Sequence, residues 1–147
     1  MSINIVNGHC TLIVVNMYTK KMWYLDSCSG PGTRYVDVMR RYMQDEYRSQ
    51  KKEDMSVADV DKWNKSTTTD PSQQVPQQHN SKDCGAFVCM FSFALTNRLP
   101  VEFFTQKYIP FFRRHIALSI FNCRVCTNLK VYPGWSVTPG FIPPPDT

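Results

Sequence analysis

Four polar residues stand where they could act on one bond: His9, Asp26, Gln78 and Cys84. The thiolate is the reactive form of cysteine, and a helix N-terminus or a neighbouring imidazolium lowers the thiol pKa. Cys84 opens the run Cys-Gly-Ala-Phe-Val-Cys-Met-Phe-Ser-Phe-Ala-Leu-Thr that ends at Thr96. It is apolar nearly all round, as a buried helix is, with Ser81 and Asp83 as N-cap candidates. An imidazole beside that sulfur would serve as the base. A carboxylate accepting its Nδ1–H would fix the tautomer and leave Nε2 free. Acyl transfer also needs donors aimed at the developing oxyanion. Gln78 offers its side-chain NH2 and Cys84 its backbone N–H, while Gly85 leaves room beside the sulfur for a substrate backbone.

A hairpin would position the imidazole and carboxylate. Thr11-Leu12-Ile13-Val14-Val15 is β-branched and apolar on both faces, which suits a central, doubly covered strand. Lys21-Met22-Trp23-Tyr24-Leu25 reads as its returning partner, after a turn at Asn16 to Lys20. A tight turn centred between Met17 and Tyr18 sets His9 opposite Asp26, about 4.5–5.5 Å apart between Cα atoms; a longer loop slips this by a residue or two. Ile3 to Val6 is a candidate short strand. Tyr35, Val38, Met39, Tyr42 and Met43 recur at helical spacing over Thr33 to Ser49. Gln50 to Gln78 is polar, with one candidate edge strand at Trp63 to Thr68 and with Pro71 and Pro76 keeping the approach to Gln78 extended. A last helix is expected from about Pro110 to Phe121, with Phe111, Phe112, Ile116, Leu118 and Ile120 on its apolar side. The segment 122–147 is proline-rich and reads as an extended or disordered tail.

At 147 residues the chain suits one domain, and 42% apolar content suffices for a core. No run approaches the roughly 20 apolar residues of a membrane span, and no basic stretch precedes the first apolar run, so an intracellular protein is expected. The net charge is +5, but Asp45, Glu46, Glu53 and Asp54 interleave with Arg40, Arg41, Arg48, Lys51 and Lys52. That is a solvated helical face, and neither a nucleic-acid nor a membrane partner is expected. Cys10, Cys28, Cys84, Cys89, Cys123 and Cys126 are read as free thiols, with Cys89 in the core and His79 and His115 on the surface. The Cys123/Cys126 pair has metal-like spacing without a second pair, so no metal and no cofactor are expected.

The order His, Asp, Gln, Cys carries a specific resemblance. Gly8-His9, Tyr24-Leu25-Asp26-Ser27 and Pro76-Gln77-Gln78-His79-Asn80-Ser81-Lys82-Asp83-Cys84-Gly85 resemble the ubiquitin-like-protein-specific (sentrin/SUMO) cysteine proteases. Phe104 to Arg114 is similar to the closing helix of that family. The resemblance implies an α+β, papain-like cysteine protease fold, a small mixed sheet packed against helices, over residues 1–121. It implies His9 as base, Asp26 as its orienter, Cys84 as nucleophile and Gln78 as oxyanion donor. Cys10 and Gly85 would flank the substrate, and the scissile bond would follow the C-terminal Gly-Gly of SUMO or a relative. A monomer in the nucleus, processing precursors or removing conjugates, is the family expectation. Two departures bear on activity: Cys10 stands where the family has a tryptophan over the diglycine, and the family's N-terminal portion is missing ahead of His9. A fragment, a shortened relative or a wrongly delimited gene product would each account for the second. The alternative function is a module that binds a ubiquitin-like protein with little or no cleavage.

Overall fold

Among the described residues four strands form one mixed sheet, lying side by side in chain order. They belong to a computed structural model that describes residues 1–5, 8–51, 59, 62–66 and 75–125. Strand β1 (Ser2–Ile5) and strand β3 (Lys21–Leu25) flank β2 (His9–Asn16) in antiparallel pairing, and β4 (Asn64–Ser66) runs parallel to β3. The expected short first strand and edge strand are both present. Thr67 and Thr68, Pro71, Cys126 and most of the proline-rich segment lie outside the described residues.

Both faces of β2 are covered, which explains its unbroken apolar run. On one face Ile13, Met22 and Tyr24 pack with Val36 and Met39 of helix α1 (Thr33–Lys51) and with Trp63. On the other, Leu12 and Leu25 meet Phe87 and Phe91 of helix α2 (Cys84–Thr96) and Phe104, Ile109 and Phe112. The Phe87, Phe91 and Phe104 rings lie 5.4–6.0 Å apart between centroids, within the range of favourable aromatic pairs. Helix α3 (Ile109–Phe121) closes this side, with Pro110 in its first turn, where the missing N–H has no partner to lose.

Several expectations need correction. The hairpin register is shifted: Leu12 faces Leu25 and Asn16 faces Lys21, so continuing the ladder brings Thr11, not His9, across from Asp26. The cause is the longer connection Met17–Lys20, where Asn16 Oδ1 accepts from the Tyr18 and Thr19 N–H groups at 3.0 Å each and Lys20 takes a positive φ. The buried stripe of α1 is Val36 and Met39, while Val38 and Tyr42 are exposed. In α3 the buried face is Ile109, Phe112 and His115, while Phe111, Leu118 and Ile120 face outward. His115, expected at the surface, is only 5% exposed, and burial pushes its imidazole toward the neutral form. Cys89, expected in the core, is exposed. The charges of α1 do interleave, with Asp45 between Arg41 and Arg48 at 3.9 and 3.6 Å.

Candidate active site

The start of β2, the end of β3 and the start of α2 meet at one end of the sheet. His9 is the first residue of β2 and Asp26 follows the last residue of β3. The His9 Nε2 and Asp26 Oδ1 atoms are 2.6 Å apart. The imidazole therefore offers the carboxylate Nε2, where Nδ1 was expected, and the nitrogen left for the sulfur is Nδ1. With the two-residue slip in register, His9 reaches Asp26 diagonally along the strand pair instead of from directly opposite.

Asp26 is 1% exposed, and a buried carboxylate is tolerable only when its oxygens are hydrogen-bonded. Its Oδ1 also accepts the Cys28 backbone N–H at 2.8 Å. Its Oδ2 accepts from the Gly30 N–H at 3.1 Å and the Tyr24 hydroxyl at 3.2 Å. Burial pushes the Tyr24 phenol far above its ordinary pKa, so it stays a donor. A Cβ on Gly30 would fall 2.5 Å from Asp26 Oδ2, so the turn can wrap the carboxylate only with glycine there.

Cys84 is buried at the first position of α2, its sulfur 4.0 Å from the Gly8 carbonyl oxygen. Burial works against its thiolate. The backbone N–H groups of Cys10 and Gly85 and the hydrogen bond and charge of His9 outweigh burial and lower the thiol below its usual value. Burial likewise pulls His9 down, but its bonds and charge interactions with Asp26 and Cys84 leave it above the ordinary histidine value. Opposite shifts in a contacting pair favour a thiolate facing an imidazolium. Cys10 stays a thiol: burial and then the neighbouring Cys84 charge raise its pKa.

The segment leading to Cys84 is stitched to the end of β3. The Gln78 N–H donates to the Ser27 carbonyl at 2.8 Å, and Ser27 Oγ donates to Gln78 Oε1 at 2.6 Å. Gln78 Nε2 donates to the Asn80 carbonyl oxygen. Gln77 bridges the same gap, accepting from Ser29 Oγ at 2.7 Å and donating to the Val75 carbonyl at 2.9 Å. Thus His9, Asp26 and Cys84 are brought together, Gln78 is anchored beside Asp26, and Cys10 and Gly85 flank the sulfur.

Comparison with known proteins fits this geometry. Residues 1–127 match the profile of the Ulp1 protease family, C-terminal catalytic domain. The chain belongs to the Ulp1 protease family. Among relatives, it is 33% identical over 119 residues to ubiquitin-like-specific protease 1A of Arabidopsis thaliana, covering 81% of this chain and 22% of that protein. It is 29% identical over 114 residues to sentrin-specific protease 2 of Homo sapiens, covering 78% and 18%. The fold matches that of the C-terminal Ulp1 protease domain in complex with Smt3, the yeast ortholog of SUMO. There the TM-score is 0.64 at 24% identity, over 83% of this chain and 51% of that one. The chain thus spans about a fifth of the curated relatives it matches and about half of the solved domain.

In this member of the Ulp1 family one group of positioning residues is not evident from the motif. Asp83 sits at the N-cap position without capping the helix. Its carboxylate instead accepts from Asn80 Nδ2 and Gln106 Nε2, each at 2.7 Å, and from Arg113 Nε at 2.9 Å. The Asn80 bond, opposed by burial and reinforced by Arg113 and Gln106, holds its pKa below the usual carboxylate range. One weak signal was available: Arg113 lies near the N-terminal end of a helix with no acidic residue in its first turn, where a carboxylate from elsewhere is favourable.

Proposed function

We propose that the chain is a cysteine peptidase or isopeptidase that cleaves after the C-terminal Gly-Gly of SUMO or a related ubiquitin-like protein. The observation that carries this reading is the placement of Cys84 at the first position of a helix, at the end of the sheet where the His9 imidazole lies 2.6 Å from the buried Asp26 carboxylate. Cys84 attacks the glycine carbonyl carbon, and the oxyanion accepts hydrogen bonds from the Cys84 backbone N–H and from Gln78. The Gln78 amide nitrogen carries two hydrogens; Asn80 takes one, and the other serves the substrate. His9 gives its proton to the departing amine, leaving a thioester, then takes one from the water that hydrolyses it. Asp26 keeps the ring oriented throughout. No cofactor enters these steps. The substrate is a precursor or a conjugate of the ubiquitin-like protein, met by a monomer inside the cell, in the nucleus.

Gly85 supports a substrate backbone at this place. An added Cβ there would meet no described atom within 4 Å, so nothing within the described fold requires glycine. A partner that runs close past the sulfur does. The catalytic unit is taken as residues 1–121, with 122–147 an appended tail.

A ubiquitin-like protein ending in Gly-Gly and bearing a C-terminal electrophile tests this reading. Covalent capture by the chain, lost in Cys84→Ala, is the expected result. Binding without capture would mark a non-cleaving module instead.

A further inference from the structure

The proposed reaction leaves the Cys28 side chain without a task. Its backbone is folded over the Asp26 carboxylate, its thiol is exposed, and its sulfur lies in a tight group. One ligating atom each from His9, Asp26 and Cys28 falls within 4.8 Å of the others. Thiolate, imidazole and carboxylate together form a donor set for Zn2+, which binds them at about 2.0–2.3 Å in tetrahedral geometry. Such geometry separates ligand atoms by about 3.3–3.7 Å, so the three need only small adjustments. His9 Nε2 and Asp26 Oδ1, 2.6 Å apart, would part by under about 1 Å, and a separation at the 4.8 Å bound would close by about 1–1.5 Å.

We propose that His9, Asp26 and Cys28 form an exchangeable, inhibitory site for a thiophilic divalent cation of the Zn2+ class, with water as fourth ligand. The ion enters from the solvent side past Cys28, displaces the thiol proton and the proton shared by His9 and Asp26, and is balanced by two anionic ligands. Once coordinated through Nε2, the imidazole keeps one proton, on Nδ1, and as a metal-bound neutral ring it cannot become the imidazolium that protonates the departing amine, so the site is switched off until the ion leaves. Cys84, on the Nδ1 side of the ring, is not a ligand.

Co2+ titration of the 147-residue chain, with thiols kept reduced by a phosphine, tests the site. Saturation at one equivalent, with a sulfur-to-cobalt charge-transfer band and tetrahedral d–d absorption displaced by Zn2+, is expected. Cys28→Ser should lose the band and weaken the ion by at least about tenfold, with unchanged circular dichroism. Cys84→Ser and Cys123→Ser should keep it. Loss of the band in Cys84→Ser or Cys123→Ser, its persistence in Cys28→Ser, or no saturable binding would each overturn the proposal. This spectroscopic result is independent of the protease reading. Inhibition of probe capture by Zn2+, reversed by a chelator and at least about tenfold weaker in Cys28→Ser, rests on that reading and fails separately from it.

Discussion

Arg113 grips Asp83 with Nε at 2.9 Å and Nη2 at 2.5 Å, and Nη2 also donates to the Lys82 carbonyl at 2.8 Å. The residue directly before Cys84 is thereby tied to α3, and a negative charge that would oppose a thiolate is matched by a positive one. Arg113→Met should cost about 1–2 kcal/mol in urea unfolding, below the value of a fully buried pair because the arginine is half exposed. It should also slow capture of the probe. Asp83 has a depressed folded pKa, so its stabilisation is present above the unfolded carboxylate pKa and fades as pH falls through the folded one. Stability of the wild type should therefore drop in acid more steeply than that of Asp83→Asn. Parallel curves would remove Asp83 from this role.

The opposite shifts of Cys84 and His9 make a definite pH signature. Alkylation of Cys84 by iodoacetamide needs no substrate docking and follows the thiolate. It should rise through a midpoint below the ordinary thiol value, because His9 and two backbone N–H groups outweigh burial. Asp26→Asn removes the hydrogen-bonded negative charge that helps hold His9 above its usual value. With less imidazolium present, the Cys84 midpoint should move up, toward an ordinary thiol. Probe capture at neutral pH should fall by roughly 10²–10⁴-fold. An unmoved midpoint would show that Asp26 does not act through His9.

Gln78 is held by Ser27 from both its backbone and its Oε1. If it supplies an oxyanion donor, Gln78→Ala should lower kcat on a fluorogenic diglycine-amide ubiquitin-like substrate by roughly 10²–10³-fold, with KM little changed. Ser27→Ala removes only the anchor and should cost less. Equal effects of the two variants would reduce Gln78 to a loop fastener.

Local pattern made α2 legible from Cys84 to Thr96, because an unbroken apolar run entered from a polar loop can bury itself in few other ways. The double-sided run of β2 likewise identified the central strand. The hairpin register was not legible to the residue, since Asn16 and the positive φ of Lys20 set the loop geometry and apolar patterning does not distinguish a two-residue slip on a strand buried on both faces. The buried faces of α1 and α3 were misread because Val36 and His115 are chosen by tertiary neighbours: helical spacing picks out Val38 and residue type favours Leu118, yet these face outward. The Asp83 to Arg113 tie joins residues far apart in sequence, and only the fold brings them together.

Gly30 and Gly85 are glycines for opposite reasons, and alanine at each separates fold from substrate. At Gly30 a Cβ meets Asp26 Oδ2 at 2.5 Å, and that carboxylate is fixed by its other bonds. Gly30→Ala should therefore cost about 1–3 kcal/mol, and by displacing Asp26 it should weaken iodoacetamide reactivity and probe capture together. At Gly85 the space is open within the described fold, and alanine is the better helix former by about 0.5–1 kcal/mol. Gly85→Ala should leave unfolding unchanged or slightly raise stability, and Cys84 should alkylate with iodoacetamide as before. Capture of the diglycine-ended probe should nevertheless fall at least about tenfold, because the new methyl group occupies the path of the substrate backbone. If Gly85→Ala captures the probe at the wild-type rate, the diglycine does not run past this position and the proposed direction of substrate entry is wrong.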